Sequence, residues 1–448
     1  MNGSGFRFCA VAVLALFALS AQAGAARAID IQRVVSAGGI EAWLVEEHAI
    51  PIIAVSFAVP RGAYHDPQGK EGLSYLLSAT LDEGAGDLDS QAFRGRLDDH
   101  AISLAFDSDR DQFSGGLETL SEFRDEAFEL LALSINRPRF DTDAVERMKG
   151  QIVANLAREQ TDPGEIAVKG WFAAAFGEFG YGRPSSGTVE SVQALAPQDL
   201  RDHFADMLAL EGMKIGVVGD IAADELGPLL DRAFGGLKSR TSLEPIPDTT
   251  PVEEPTTLTV ELDVPQTELR FGMNGLKRSD PDFVPAYVMN YILGGGGFSS
   301  RLYEEVREKR GLSYSVYSYL FPLAGAGLVL GGAATRSDRA ATTLAVIRDE
   351  IERMRDAGPT EAELDAAKRY LTGAYPLRFD SNSNIAEQLV AIQIEDLGID
   401  YVDRRNALIE AVTIEDAKRV ARELLRPDRM IVIAVGNRQA IDSIKSGG

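Results

Sequence analysis

Apolar residues along this chain recur in two rhythms, and the points where each starts and stops divide the chain into elements. In PIIAVSFAVPRG (51–62) a nearly continuous apolar run ends in a Pro and Gly loop, the mark of a buried strand. LSYLLSATLDEG (73–84) follows with apolar positions at helical spacing. Two amphipathic stretches, SEFRDEAFELLALSI (121–135) and DTDAVERMKGQIVANLAREQ (141–160), then predict successive helices.

The same order of elements returns in the second half. APQDLRDHFADMLALEGMKIGVVGD (196–220) and TIEDAKRVARELLRPDRMIVIAVGN (413–437) share an N-capped helix, a break and an apolar strand ending Val-Gly. Asp199 matches Asp416 and Gly219 matches Gly436, each pair 217 residues apart. RGRLDDHAISLAFDSDRDQF (94–113) likewise resembles EEVREKRGLSYSVYSYLFPL (304–323). DRAATTLAVIRDEIERMRDAG (338–358) and TEAELDAAKRYLTGAY (360–375) answer the two helices of the first half. Between the halves, Pro245, Pro247, Pro251 and Pro255 interrupt a stretch without periodicity, which predicts an open, semi-rigid spacer. The expected fold class is α+β: two similar domains, 30–236 and 257–440, each a largely antiparallel sheet covered by helices, joined by a Pro-rich linker at 237–256.

Composition narrows the partners. The 448 residues, 45% hydrophobic and 25% charged, suffice for two globular domains. A formal charge of −23 gives a field that repels nucleic acid and anionic lipid, so no nucleic-acid partner is expected. The first 28 residues combine Arg7, an apolar core from Cys9 to Ser20 and small residues at AQA and ARA, and read as a signal peptide. The expected location is the periplasm. No run approaches the roughly 18 apolar residues of a membrane helix, so no membrane span is expected. Cys9, the sole cysteine, falls in the removed segment, which leaves the mature chain without disulfide or thiol chemistry. Loss of Arg7 and Arg27 takes the charge from −23 to −25.

Candidate chemistry is sparse. His48, His65, His100 and His203 are the only histidines, none at helical pairing distance from another, and they read as solvated or locally hydrogen-bonded. His65 beside Asp66 does not complete a metal site. Ser74, Ser78 and Ser299 have no His near them in sequence to act as a base. GGGGFSSR (294–301) lacks the Gly-Lys-Ser/Thr ending of a phosphate loop and reads as a turn between helices. Taken alone, an Arg in EEVREKRG is a solvated helix residue, and a Tyr in LSYSVYSYL packs on a sheet.

The succession of a strand, GKEGLSYLLSATLDEG, FGYGRPSSGTVESVQALAPQDL, the linker and GGGGFSSRLYEEVREKRGLSYSVYS resembles the pitrilysin and insulysin family, nearest to its bacterial and processing-peptidase-like members. The likeness covers nearly the whole mature chain. Active members carry H-x-x-E-H, in which imidazoles one turn apart bind one Zn and the Glu activates its water. The resemblance lays those positions on Tyr75, Ser78 and Ala79, and the third ligand, a Glu, on Asn155. None of the four substitutes suits zinc, so no metal is expected in this chain. The resemblance also implies that Arg307 and Tyr314 are a retained pair that holds the substrate backbone and the developing oxyanion. Arg301, Arg310 and Tyr317 are the neighbours with which this pair is most easily confused. The implied function is the non-catalytic subunit of a heterodimeric peptidase whose partner, an H-x-x-E-H homologue, holds the zinc, with peptides as substrates. The alternative is a non-proteolytic scaffold or binding subunit of a larger complex. A stand-alone hydrolase is opposed by the scarcity of His and the absence of mature Cys.

Overall fold

The computed structural model describes residues 29–446; the segment read as a signal peptide, residues 1–28, lies outside the described residues. The first half builds a six-stranded sheet from β1 (Gln32–Val35), β2 (Glu41–Glu46), β3 (Ile52–Val59), β4 (Ser103–Ser108), β5 (Phe113–Leu120) and β6 (Lys214–Gly219), ordered β1-β2-β6-β3-β5-β4. The second half builds five strands, β7 (Thr256–Glu261), β8 (Gln266–Asn274), β9 (Ser313–Pro322), β10 (Gly327–Arg336) and β11 (Ile431–Gly436), ordered β7-β11-β8-β10-β9. Among the described residues, only β2 with β6 and β7 with β11 run parallel. The α+β class with antiparallel-rich sheets covered by helices therefore stands.

The repeat holds to the residue. Helices Pro197–Met207 and Ile414–Leu424 each place an aspartate third, and it reaches back to the cap: Asp199 Oδ2 accepts from Ala196 N at 2.8 Å, and Asp416 Oδ2 from Thr413 N at 3.1 Å. The strands that follow, β6 and β11, are buried on both faces. That explains their unbroken apolar runs, whereas β5 alternates, with Phe113, Gly115, Leu117 and Thr119 inward.

Both faces are covered because the halves exchange a helix. Pro163–Phe176, from the first half, packs on β8 and β11; Asn382–Ile394, from the second, packs on β3 and β6. Each carries one polar tie to its host strand: Trp171 Nε1 donates to Ile431 O at 3.3 Å, and Gln393 Nε2 to Ile215 O at 3.0 Å. Each host sheet yields a glycine to the close approach. A Cβ at Gly216 would stand 2.5 Å from Ala386 O, and one at Gly272 would stand 2.7 Å from the Trp171 ring.

Residues 240–255 carry no helix or strand, but they are not an open spacer. Leu243 packs on the first core and Ile246 on the cluster around Trp171. Thr249 N donates to Gly325 O at 2.7 Å and Val252 N to Ala175 O at 2.8 Å. Proline removes periodicity without removing anchors, so the segment is tied down by Leu243 and Ile246, by Thr241 and Ser242 bonded to Asp206, by the pairs Asp248–Lys277 and Glu253–Arg429, and by its remaining amides.

Candidate functional site

The helix that follows β3 is shorter than its apolar spacing predicts, running only Leu73–Ser78. Hydroxyls compete for its carbonyls: Ser78 Oγ donates to Tyr75 O at 2.8 Å and Thr80 Oγ1 to Leu76 O at 2.9 Å, and Gly84 then turns with positive φ. A scaffold fixes its start. Arg183, from FGYGRP, donates to Asp66 O at 2.6 Å and Tyr64 O at 2.7 Å, while Ser191 Oγ donates to Glu71 O at 2.8 Å.

Under that start lies a buried network. Asp66 accepts from Gly72 N and Ser74 N, each at 2.9 Å, and from Ser74 Oγ at 2.5 Å; His203 Nε2 lies 3.1 Å from the same Oγ. Ser74 thus has a histidine neighbour that the sequence, in which the two stand 129 positions apart, does not show. The order is wrong for a nucleophile, because Ser74 donates to the carboxylate and accepts from the imidazole when Nε2 carries the hydrogen. Ser74 is also fully buried, so no substrate carbonyl reaches it. Burial pushes Asp66 up to about 6, opposed by its hydrogen bonds from Ser74, and pulls His203 down to about 4. The network is a clasp between the loop, the short helix and helix Pro197–Met207.

The four positions matched to zinc ligation and catalysis have other occupations. Tyr75 is half-buried against the first core, and burial, with Asp107 and Glu159 nearby, raises its phenol above the ordinary value. Ser78 is bonded within its own helix, and Ala79 offers no donor atom and packs on the core. Asn155 lies on helix Thr142–Glu159, beside the short helix, where its Oδ1 accepts from Arg158. These groups do not fit a zinc ion. Elsewhere, His48 bonds Asp220 Oδ1 at 2.8 Å, His65 Nε2 meets Glu244 O at 3.0 Å and His100 packs at a tilt against Phe123. Asp66 turns to Ser74, so the adjacent pair His65 and Asp66 does not act together.

The second half presents the opposite picture. Two π-helical turns, Tyr291–Gly295 and Tyr303–Glu308, flank the glycine run. A Cβ at Gly294 would meet Ser318 Oγ at 2.3 Å, so this position packs closely on β9, while Gly297 takes φ +54° in open space. Arg307, from the second turn, places its guanidinium carbon 4.4 Å from the Tyr314 ring centroid, 4.7 Å from that of Tyr303 and 5.9 Å from that of Phe298. Tyr314 is 79% exposed and Phe298 80%. Phe298 and Tyr303 are the members of this cluster that residue-type reasoning passes over; for Phe298, its place in a glycine run that cannot bury it is the available signal.

The structure separates this pair from its lookalikes. Arg301 forks onto Glu363 at 2.6 and 2.7 Å, Arg310 binds Glu305 at 2.5 Å, and Tyr317 accepts from Arg270 Nη1 at 3.1 Å. Among the described residues, the ion pair of Arg307 is a loose one, to Glu308 at 3.9 Å. A free guanidinium stacked on an exposed phenol offers a rigid donor fork and a hydroxyl to an extended carbonyl-bearing ligand. β9, which carries Tyr314, is an edge strand of its sheet.

Comparison with known proteins agrees with this architecture. Residues 43–189 match the model for insulinase (peptidase family M16), and residues 194–371 match that for the peptidase M16 inactive domain. The chain is similar to the non-peptidase homolog YmxG of Helicobacter pylori, 29% identical over 76% of this chain and 78% of that one. It is also similar to an uncharacterized zinc protease of Mycobacterium bovis, 31% identical over 67% and 69%. A crystal structure of a peptidase M16 inactive domain from Pseudomonas fluorescens superposes with TM-score 0.85 at 28% identity, covering 91% of this chain and 98% of that one. With a fold shared throughout and both halves matched, the chain belongs to peptidase family M16, and at the positions of that family's zinc motif it carries Tyr75, Ser78, Ala79 and Asn155.

Proposed function

We propose that this chain is the non-catalytic subunit of a heterodimeric zinc peptidase, closing the peptide chamber of an H-x-x-E-H partner and lending it Arg307 and Tyr314. One observation carries the reading: the Arg307 and Tyr314 side chains are stacked, solvent-facing and uncommitted, while every substitute at the zinc positions is occupied within its own helix or core. An arginine that faces a 79% exposed tyrosine, with Glu308 no nearer than 3.9 Å, supports a role beyond packing.

In this reading the partner's zinc supplies the activated water. The work of this chain is positional: the Arg307 fork orients a peptide carbonyl, and the Tyr314 hydroxyl donates to the oxygen on which charge develops. Phe298 and Tyr303 form an apolar shoulder beside them. The chain is exported to the periplasm and carries no metal of its own.

The test is hydrolysis of a quenched fluorescent peptide library by this chain, by an H-x-x-E-H homologue from the same genome and by the two mixed, with a chelator control. Activity confined to the mixture and abolished by chelator is the expected result. Full activity of the homologue alone would make this chain a scaffold or binding subunit instead.

A further inference from the structure

We propose that a pocket on the helical side of the second half binds a carboxylate attached to a small apolar group. The cavity has a volume of about 160 Å³ and is lined by Arg278, Arg378 and Arg405, with no acidic side chain in its wall. The chain carries 45 Lys and Arg against 68 Asp and Glu, so three arginines lining one cavity without a carboxylate are unexpected. Among the described residues none of the three has an acidic oxygen within 4.0 Å, although the neighbouring Arg404 pairs with Asp400 at 3.0 Å and Arg419 with Asp282 at 2.6 Å. Glu395 feels the charge of Arg278 without an ion-pair contact to it.

Two of the three, Arg278 and Arg405, are held in place by neutral partners, and Arg378 is exposed at the rim. Arg278 lies over Phe283 at 4.5 Å and Tyr401 at 5.5 Å and donates to Tyr401 Oη at 2.8 Å. Arg405, only 7% exposed, lies over Tyr375 at 4.1 Å and donates one nitrogen to Leu371 O at 3.0 Å and Asn406 Oδ1 at 3.2 Å. A buried guanidinium without a counter-charge is costly, and aromatic faces offset only part of that cost. An arriving carboxylate would meet preoriented forks that can bind it bidentately.

The rest of the wall chooses the kind of acid. Val284, Tyr287, Leu408 and Ile409 offer an apolar floor, which suits a hydrocarbon body and gives nothing to the outer oxygens of a phosphate. The volume is below the roughly 300 Å³ of a drug-sized site, and it fits one amino-acid-sized acid. That chemistry belongs equally to the last residue of a peptide and to a free short-chain acid.

Isothermal titration of the mature chain with N-acetyl-leucine, N-acetyl-leucinamide, inorganic phosphate and a pentapeptide ending in Leu tests it. The acid should bind saturably, and the amide about tenfold or more weaker, the loss expected when a charged hydrogen bond is removed. R278Q should lose about as much, and so should R378Q, whose exposed position leaves folding untouched. Equal affinity for acid and amide, tighter binding of phosphate, an unaffected R378Q or no saturable binding of the acid would each overturn the proposal. Binding of the pentapeptide would assign the site to peptide ends and its exclusion to free acids, and either supports the carboxylate reading.

Discussion

The Arg307 guanidinium carbon stands 4.4 Å from the centroid of the Tyr314 ring, and both side chains lack the partners that occupy their neighbours. Arg301 and Arg310 are neutralised by Glu363 and Glu305, which also hold the π-helical turn against helices Ala340–Ala357 and Glu361–Gly373. The division of labour among these arginines follows from position. Those facing the helical layer serve packing, and the one facing the β9 edge is left available.

Tyr314→Phe keeps the ring under Arg307 and removes only the hydroxyl. Its exposure means that no core contact is lost, so thermal unfolding should be unchanged. Turnover by the mixture with a zinc-bearing homologue should fall about 100-fold to 1000-fold, the loss typical of one oxyanion donor. The KM should move little, because that donor acts on charge developed in the transition state. Unchanged turnover in a mixture that is otherwise active would defeat the role given to Tyr314.

Purified without added metal, the chain should contain no stoichiometric zinc by elemental analysis. The triple substitution Y75H, A79H and N155E restores three donors on neighbouring helices and should create zinc uptake. It should not create peptidase activity, since Ser78 stays bonded to Tyr75 O and supplies no base. Zinc copurifying one-to-one with the unmodified chain would refute the account of the site.

The clasp beneath the short helix makes stability depend on pH in a way its two halves mask. Asp66, raised from 3.8 to about 6, contributes stability that is present below 3.8 and lost as pH rises through 6. His203, lowered from 6.5 to about 4, contributes stability that is present above 6.5 and lost as pH falls through 4. Between these limits the two slopes oppose each other. H203Q removes one of them, so its urea stability should decline from pH 4 to 6 relative to the parent, by about 2 kcal/mol in total. A parallel pH profile for parent and variant would show that His203 does not titrate in this window.

How much of this was readable without coordinates depends on the range of the interaction. The 217-residue repeat was legible because Asp199 and Asp416 act within one turn of their own helices, and Gly219 and Gly436 end their own strands. That Tyr75, Ser78, Ala79 and Asn155 are not the residue types of the zinc motif is a local fact of the sequence and needs no fold to be read. What escaped was long-range. Ser74 and His203 meet across 129 residues, and nothing in GEIAVKGWFAAAF shows that Trp171 will bond a strand 260 residues away. The linker departs from its expected openness because absent periodicity does not mean absent packing: Leu243 and Ile246 anchor it on two different cores.

The exchanged helices yield the last prediction. Gly216 lies in β6 where helix Asn382–Ile394 crosses, and an added Cβ would meet Ala386 O at 2.5 Å and Leu389 Cβ at 3.0 Å. A backbone carbonyl cannot rotate away, so G216A must lift the helix from the sheet at a cost of about 1–3 kcal/mol. Gly373 is the control: it ends a helix with nothing within 4 Å of an added Cβ, so G373A should be neutral or stabilising by up to about 1 kcal/mol. Because the displaced helix belongs to the other half, G216A should also loosen the coupling of the two sheets. Urea unfolding of G216A should then broaden or split where the parent unfolds in one step. If G216A matches the parent in midpoint and slope, the helix docks too loosely for the glycine to matter, and the exchange is not what binds the halves together.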